Sequence, residues 1–148
     1  LTTELGLSLK DDVVFTGALP FETLVNVYYS SDLFVFSSMT ETQGLVLIEA
    51  MAAGLPVVAV RAYGVQDMVD SGKNGLLTEC ELDEFSDAVC HVLNDEDLYN
   101  KFKLNALKKA ESLSSTNMAK KVEKLYLGLS KTNTRHRSKM ADLLSWFG

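Results

Sequence analysis

The 148 residues are 47% hydrophobic and 23% charged, with 9 Gly, 2 Pro and 2 Cys, the composition of one compact domain rather than of a disordered chain or a disulfide scaffold. The longest uncharged apolar stretch, Ala50 to Val60, is broken by Gly54 and Pro56 and falls far short of the ~20 residues that a bilayer span takes. The net charge of −6 hides a division, since residues 1–100 carry three basic side chains against seventeen acidic ones and residues 101–148 carry eleven against three; the acidic body lacks the basic stripe that nucleic-acid phosphates demand, while the basic end is a candidate for an anionic surface.

In chain order, Leu1 to Lys10 has neither the basic start nor the apolar run of a signal peptide, and no methionine opens the chain, so the expectation is a cytoplasmic protein that is part of something longer. Val13-Val14-Phe15, Leu33-Phe34-Val35-Phe36, Pro56 to Val60 and Gly75 to Thr78 are short apolar or β-branched runs bounded by Gly, Ser, Asp or Pro, which predicts four buried strands. Helical patterns lie between them at Phe21 to Ser30, Gly44 to Ala53 and Val65 to Asp70. The alternation predicts an α/β domain, a Rossmann-like parallel sheet with right-handed crossovers and a ligand site at the carboxyl ends of its strands.

After Thr78 the sequence turns helical. Leu82, Phe85, Val89, Val92 and Leu93 form one apolar stripe, and Tyr99, Phe102, Ala106 and Ala110 another. Ser114 or Ser115 offers an N-cap for a third helix with Met118, Val122, Leu125 and Leu129 on one face and lysines on the other. A last helix is expected at Ser138 to Phe147. This reading divides the chain into a partial Rossmann-like domain at 1–112 and a helical extension at 113–148.

Several chemistries have little support. Cys80 and Cys90 form no C-x-x-C pair and His91 and His136 lie far apart, so no metal site is expected. No G-x-S-x-G elbow marks a hydrolase, and no G-x-G-x-x-G follows a strand as in a dinucleotide oxidoreductase.

The stretch Ser37 to Pro56 carries more information. It reads as strand end, loop, helix and stop, with Gly44 allowing close backbone approach at the helix start. Free amides at Gly44, Leu45 and Val46, together with the helix dipole, would hold an anion such as a diphosphate. Glu41 in the loop and Glu49 about one and a half turns into the helix flank that cradle, and carboxylates suit sugar or ribose hydroxyls. Gly54 and Pro56 end the helix. Taken alone, Glu41 and Glu49 read more readily as solvated helix-start and helix-face acids than as ligand-binding ones.

With its flanks, the stretch resembles the retaining GT-B glycosyltransferases of family 4, also called group 1 glycosyltransferases. Their carboxyl-terminal domain carries Glu-x7-Glu, matched by Glu41 and Glu49, followed by a run like Ala50-Met51-Ala52-Ala53-Gly54-Leu55-Pro56-Val57-Val58. The similarity extends through Val13 to Gly17, Tyr29-Ser30-Ser31-Asp32, Gly64 to Asp67, Gly72 to Leu77 and Tyr126, covering roughly residues 5 to 127. The resemblance implies that Glu49 binds ribose hydroxyls and that Glu41 is the catalytic-site acid contacting the transferred hexose. It also implies that Gln43, Gly44, Leu45 and Val46 surround the donor diphosphate and that backbone around Gly17, Ala18 and Leu19 meets the base. No metal and no cofactor beyond the donor, a UDP-sugar foremost, is implied. The acceptor would be a lipid or a glycan.

Ser37 replaces the usual proline and Gln43 the usual aromatic residue, and Glu41-Thr42-Gln43-Gly44-Leu45 resembles the version found in the diacylglycerol glucosyltransferases. The resemblance further implies that the amino-terminal domain of a parent chain, and two strands between the Val13 and Leu33 strands, lie outside this sequence. The fragment is therefore expected to be inactive alone, and the Val13 and Leu33 strands either to pair directly or to leave edges that another chain fills. A non-catalytic Rossmann-like binding or interaction module is the alternative. Lys120, Lys121, Lys124, Lys131, Arg135, Arg137 and Lys139, with Trp146 and Phe147, could dock on an anionic membrane face, or the helix could pack on the absent domain.

Overall fold

A computed structural model describes the backbone of residues 2, 4–9 and 11–144 and the side chains as far as residue 129. Val57, Val58, Ala59 and Val60 show no polar alternation, the pattern of a strand covered on both faces, and all four are buried. They form the centre of the sheet. The elements run α1 (Phe21–Tyr29), β1 (Phe34–Phe36), α2 (Leu45–Ala52), β2 (Val57–Val60), α3 (Tyr63–Met68), β3 (Gly75–Thr78), α4 (Leu82–Asn94), α5 (Glu96–Ser112) and α6 (Ser115–Leu144). The three strands are parallel in the order β1-β2-β3, with Val35 opposite Val58 and Val58 opposite Leu76.

Two apolar layers enclose this sheet. On one face Val57 and Ala59 pack with Leu47 and Met51 of α2, Val65 of α3, and Ala106 and Ala110 of α5. On the other, Val58 packs with Val92 of α4 and Phe102 of α5. Helix α5 thus contributes to both layers. Glycine at position 75 lets β3 approach β2, for a Cβ there would stand 2.2 Å from the Val57 carbonyl oxygen. Helix α2 ends as expected, with Gly54 at φ 83° donating its amide to Met51 and Leu55 donating to Ala50, a Schellman motif. Asp95 caps α5 by accepting from the Leu98 amide at 2.9 Å, which satisfies one of the unpaired donors of its first turn.

Three expectations need correction. Residues 13–15 form no strand; Val14 and Phe15 are 66% and 78% exposed. They do not pair with β1, whose outer edge has no neighbour among the described residues. A strand draws its stability from a hydrogen-bonded neighbour, and none reaches this segment. The helices expected from Ser114 and from Ser138 are one continuous helix, because no Gly-Pro stop separates them and an α-helix propagates more easily than it nucleates. Trp146 and Phe147 lie outside the described residues, as do the side chains of Lys131, Arg135, Arg137 and Lys139. Finally, the stripe on α4 is narrower than expected: Val92 is buried, whereas Leu82 and Leu93 are largely exposed.

Candidate functional site

The carboxyl ends of β1 and β2 open onto the loop 37–44, and α2 starts where that loop turns inward. The turn depends on two glycines that face each other. Gly44 adopts φ 66°, and a Cβ there would stand 2.8 Å from both the Gly64 carbonyl oxygen and the Met68 side chain. A Cβ on Gly64 would stand 2.5 Å from the Thr42 carbonyl carbon. Only two residues without side chains allow the loop to lie directly on the start of α3, where the Gly64 amide donates to the Glu41 carbonyl at 3.1 Å. Sequence reasoning cited Gly64 as part of a pattern and missed this role; the close approach joins segments about twenty residues apart, which periodicity does not register.

Glu41 closes the loop upon itself. Its Oε1 accepts from the amides of Thr42 at 3.0 Å, Gln43 at 2.9 Å and Gly44 at 2.8 Å. Three donors converging on one oxygen favour its charged form, so the amides of Gly44 and Gln43 above all hold the Glu41 carboxyl below its usual pKa. This corrects one expectation. The Gly44 amide is not free for an anion, because a carboxylate three residues upstream already occupies it, as acidic caps do at helix starts. The amides of Leu45 and Val46, the first two of α2, have no acceptor among the described residues and remain turned toward any anion placed there. Gln43 itself is exposed at the loop tip.

Glu49 stands on the same helix, about 6 Å further along its axis, and is exposed. Its Oε2 accepts from the Tyr28 hydroxyl of α1 at 3.2 Å. Burial, then the hydrogen bond to Glu49 and that carboxylate's charge, push the Tyr28 phenol above its ordinary pKa. Tyr28 was not among the expected site residues; its helical spacing reads only as an apolar face. A cavity of ≈ 180 Å³ lies beside the pair, lined by Phe21, Leu24, Val25, Tyr28, Tyr29, Glu49 and two alanines of α2's end.

The structure therefore brings Glu41, Gly44, Leu45, Val46 and Glu49 together on one loop and one helix. It does not join Gly17, Ala18 and Leu19 to them: Gly17 and Ala18 are exposed, Leu19 is half-buried, and no hydrogen bond links these residues to the 41–49 segment among the described residues. Their positioning depended on the Val13 strand, which does not form. No group of three or more His, Cys, Asp or Glu capable of holding a metal ion occurs among the described residues, and Cys80 and Cys90 are free and exposed.

This glycine-hinged loop, running into an apolar helix that carries the second acid, coincides with the model of the glycosyl transferases group 1 family, which matches residues 4–109. The chain belongs to that family. It is 38% identical over 130 residues to D-inositol 3-phosphate glycosyltransferase of Corynebacterium urealyticum, covering 87% of this chain and 30% of that protein. It is 51% identical over 67 residues to sulfoquinovosyl transferase SQD2 of Arabidopsis thaliana, covering 43% of this chain and 13% of that protein. Among solved structures, sucrose-phosphate synthase from Thermosynechococcus elongatus superposes with a TM-score of 0.72 at 29% identity over 88% of this chain and 33% of that one. Anabaena Alr3699/HepE, solved in complex with UDP and glucose, gives 0.70 at 29% identity over 84% of this chain and 34% of that one. The chain thus spans about a third or less of the length of these relatives.

Alongside the sheet site, α6 presents an unpacked face. Met118, Val122, Leu125 and Leu129 are all exposed, Leu125 by 63%. Lys120, Lys121 and Lys124 line a separate open cavity of ≈ 380 Å³ with Ser112 and Asn117. Among the described residues, no helix is long and apolar enough to cross a membrane.

Proposed function

We propose that this chain is the donor-binding part of a retaining glycosyltransferase whose donor is a nucleotide diphosphate sugar, a UDP-hexose foremost. The observation that carries the reading is the start of α2: two unclaimed amides at Leu45 and Val46 stand between the acids Glu41 and Glu49. A diphosphate at those amides gains charge as its bond to the sugar breaks, so donors aimed at it stabilise the transition state more than the ground state. Glu49 binds the ribose hydroxyls and Glu41 the hexose. The binding of UDP and glucose by Alr3699/HepE, a structural neighbour at 29% identity, supports this donor class.

Residues 1–112 are the partial donor domain and 113–148 a helical extension. The acceptor, a lipid or a glycan, is held by another domain of a longer parent chain, and the fragment is inactive alone. The Glu41-Thr42-Gln43-Gly44-Leu45 sequence favours a glycolipid-forming branch similar to the diacylglycerol glucosyltransferases. The exposed stripe of α6 packs on that other domain; an anionic membrane surface is the rival partner, which salt-sensitive sedimentation with anionic vesicles would reveal.

One observation favours a second reading, a non-catalytic binding module. Glu41 satisfies the amides of its own loop, leaving a self-contained turn. Calorimetry with UDP, GDP, ADP and UDP-glucose on this chain and on Glu49→Ala separates the two. Binding of one diphosphate that weakens in the variant is the expected result, and failure of all four on both this chain and its parent would leave the module reading.

A further inference from the structure

We propose that Tyr28 is the positioning residue that aims the Glu49 carboxylate, so that one oxygen is committed to the protein and the other presented to the ribose. The proposal rests on the donor-site reading above. A solvent-exposed glutamate samples many rotamers and loses that freedom when a ligand fixes it. Fixing it beforehand removes part of that loss from binding. Glu49 Oε2 accepts from the Tyr28 hydroxyl at 3.2 Å, whereas Oε1 has no hydrogen-bond partner among the described residues. The carboxylate is thus half engaged, and the free oxygen lies on the helix that also presents the Leu45 and Val46 amides.

Tyr28 is itself held. Its ring lies 6.0 Å from that of Phe34, tilted by 55°, and Phe34 stacks on Phe36 at 6.0 Å. Both phenylalanines belong to β1 and pack against the sheet's larger apolar layer, and β1 leads straight into the Glu41 loop. One strand therefore sets both acids: Glu41 through the chain that follows it, Glu49 through the aromatic ring resting upon it. The ring contacts need only a phenyl group. The hydroxyl has Glu49 as its recorded partner, so replacement by phenylalanine isolates its role.

The discriminating quantity is selectivity for ribose hydroxyls, which a purely structural tie between α1 and α2 would not move. Affinities of UDP and of 2′,3′-dideoxy-UDP, read by nuclear magnetic resonance titration into the millimolar range, are compared for the chain, Tyr28→Phe, Glu49→Ala and the double variant. The expected result is a loss of UDP affinity of roughly tenfold in Glu49→Ala and roughly fivefold in Tyr28→Phe, as for hydrogen bonds to a charged group. Dideoxy-UDP binding stays constant, and Tyr28→Phe has no further effect once Glu49 is gone.

If UDP does not bind, or if Glu49→Ala leaves UDP affinity unchanged, the donor-site reading fails and takes the positioning role with it. If Glu49→Ala abolishes the ribose preference but Tyr28→Phe keeps it, or weakens both nucleotides alike, the donor site stands and the role of Tyr28 is overturned. A ligand-free control tests the contact directly: the Tyr28 phenol, followed by carbon-labelled tyrosine resonances, titrates at lower pH in Glu49→Gln than in the unaltered chain. An unchanged titration also overturns the proposal.

Discussion

Helices α1 and α2 are of nearly equal length, nine and eight residues, and both were expected from the spacing of their apolar residues, yet they behave differently. Helix α2 buries Leu47, Ala50 and Met51 between β2 and α5, while α1 buries no residue at all. The same contrast recurs at the other end, where α5 buries Phe102, Ala106 and Ala110 and the described side chains of α6, the half-buried Asn117 aside, stay exposed. An apolar stripe specifies the face a helix would bury; only a neighbouring element decides whether it does. The elements of this chain that enclose β2 supply each other's partners, and those outside that group do not.

If this division is correct, the largest losses come from the enclosed region. Phe102→Ala removes the largest wholly buried side chain, from the layer that packs on Val58, and should cost about 3–5 kcal/mol in chemical denaturation. Gly64→Ala comes next. Its new Cβ meets backbone of the Thr42–Gln43 peptide at 2.5 to 2.8 Å, which a side-chain rotation cannot relieve, so about 1–3 kcal/mol is expected. Because that peptide carries the Gln43 amide bound to Glu41, between the two other amides that Glu41 holds, the variant should also shift the amide resonances of Thr42, Gln43 and Gly44. A Gly64→Ala protein with unchanged stability and unchanged loop resonances would show that the loop and α3 are not coupled.

The enclosed half was legible in the sequence because its signals are local. Pro56 to Val60 reads as a buried strand, Gly54 with Pro56 as a helix stop, and Glu41 with Glu49 as two acids around a helix start, and each is found there. The failures share a different cause. Val13 to Phe15 has a strand's composition, but a strand requires a ladder that its own residues do not contain. Gly17 to Leu19 lost their position with it. Glu41's capture of the Gly44 amide was hidden because an acid before a helix can serve a ligand or the backbone, and the spacing is the same for both. Tyr28 and Gly64 were missed because their roles arise from contacts across 21 and about 20 residues.

A smaller effect sharpens the comparison at the site itself. Glu41 has a pKa lowered by the amides of Gly44 and Gln43. A carboxyl group whose folded pKa lies below its unfolded value contributes stability above the unfolded pKa, and that contribution disappears as pH falls through the folded one. Glu41→Gln should therefore unfold at a lower temperature than the unaltered chain at pH 7, with the gap closing as pH falls below the ordinary value of 4.5. Melting curves between pH 7 and pH 3 measure it. A gap that persists at the acid end would mean that carboxylate charge is not what holds the loop.

The smallest effect belongs to α1. Leu24 and Val25 are half-buried and line the ≈ 180 Å³ cavity beside Glu49, so truncating either enlarges a space that is already open instead of creating a void in a closed core. The cost should stay below about 1 kcal/mol, against the 2–5 kcal/mol usual for a fully packed leucine. Backbone exchange should agree: amides of α1 open without global unfolding, whereas those of β2 exchange only with it. Equal protection in the two elements would require α1 to unfold together with the sheet, in which case the Tyr28–Glu49 contact and the aromatic stack on β1 suffice to join a helix with no buried residue to the cooperative core.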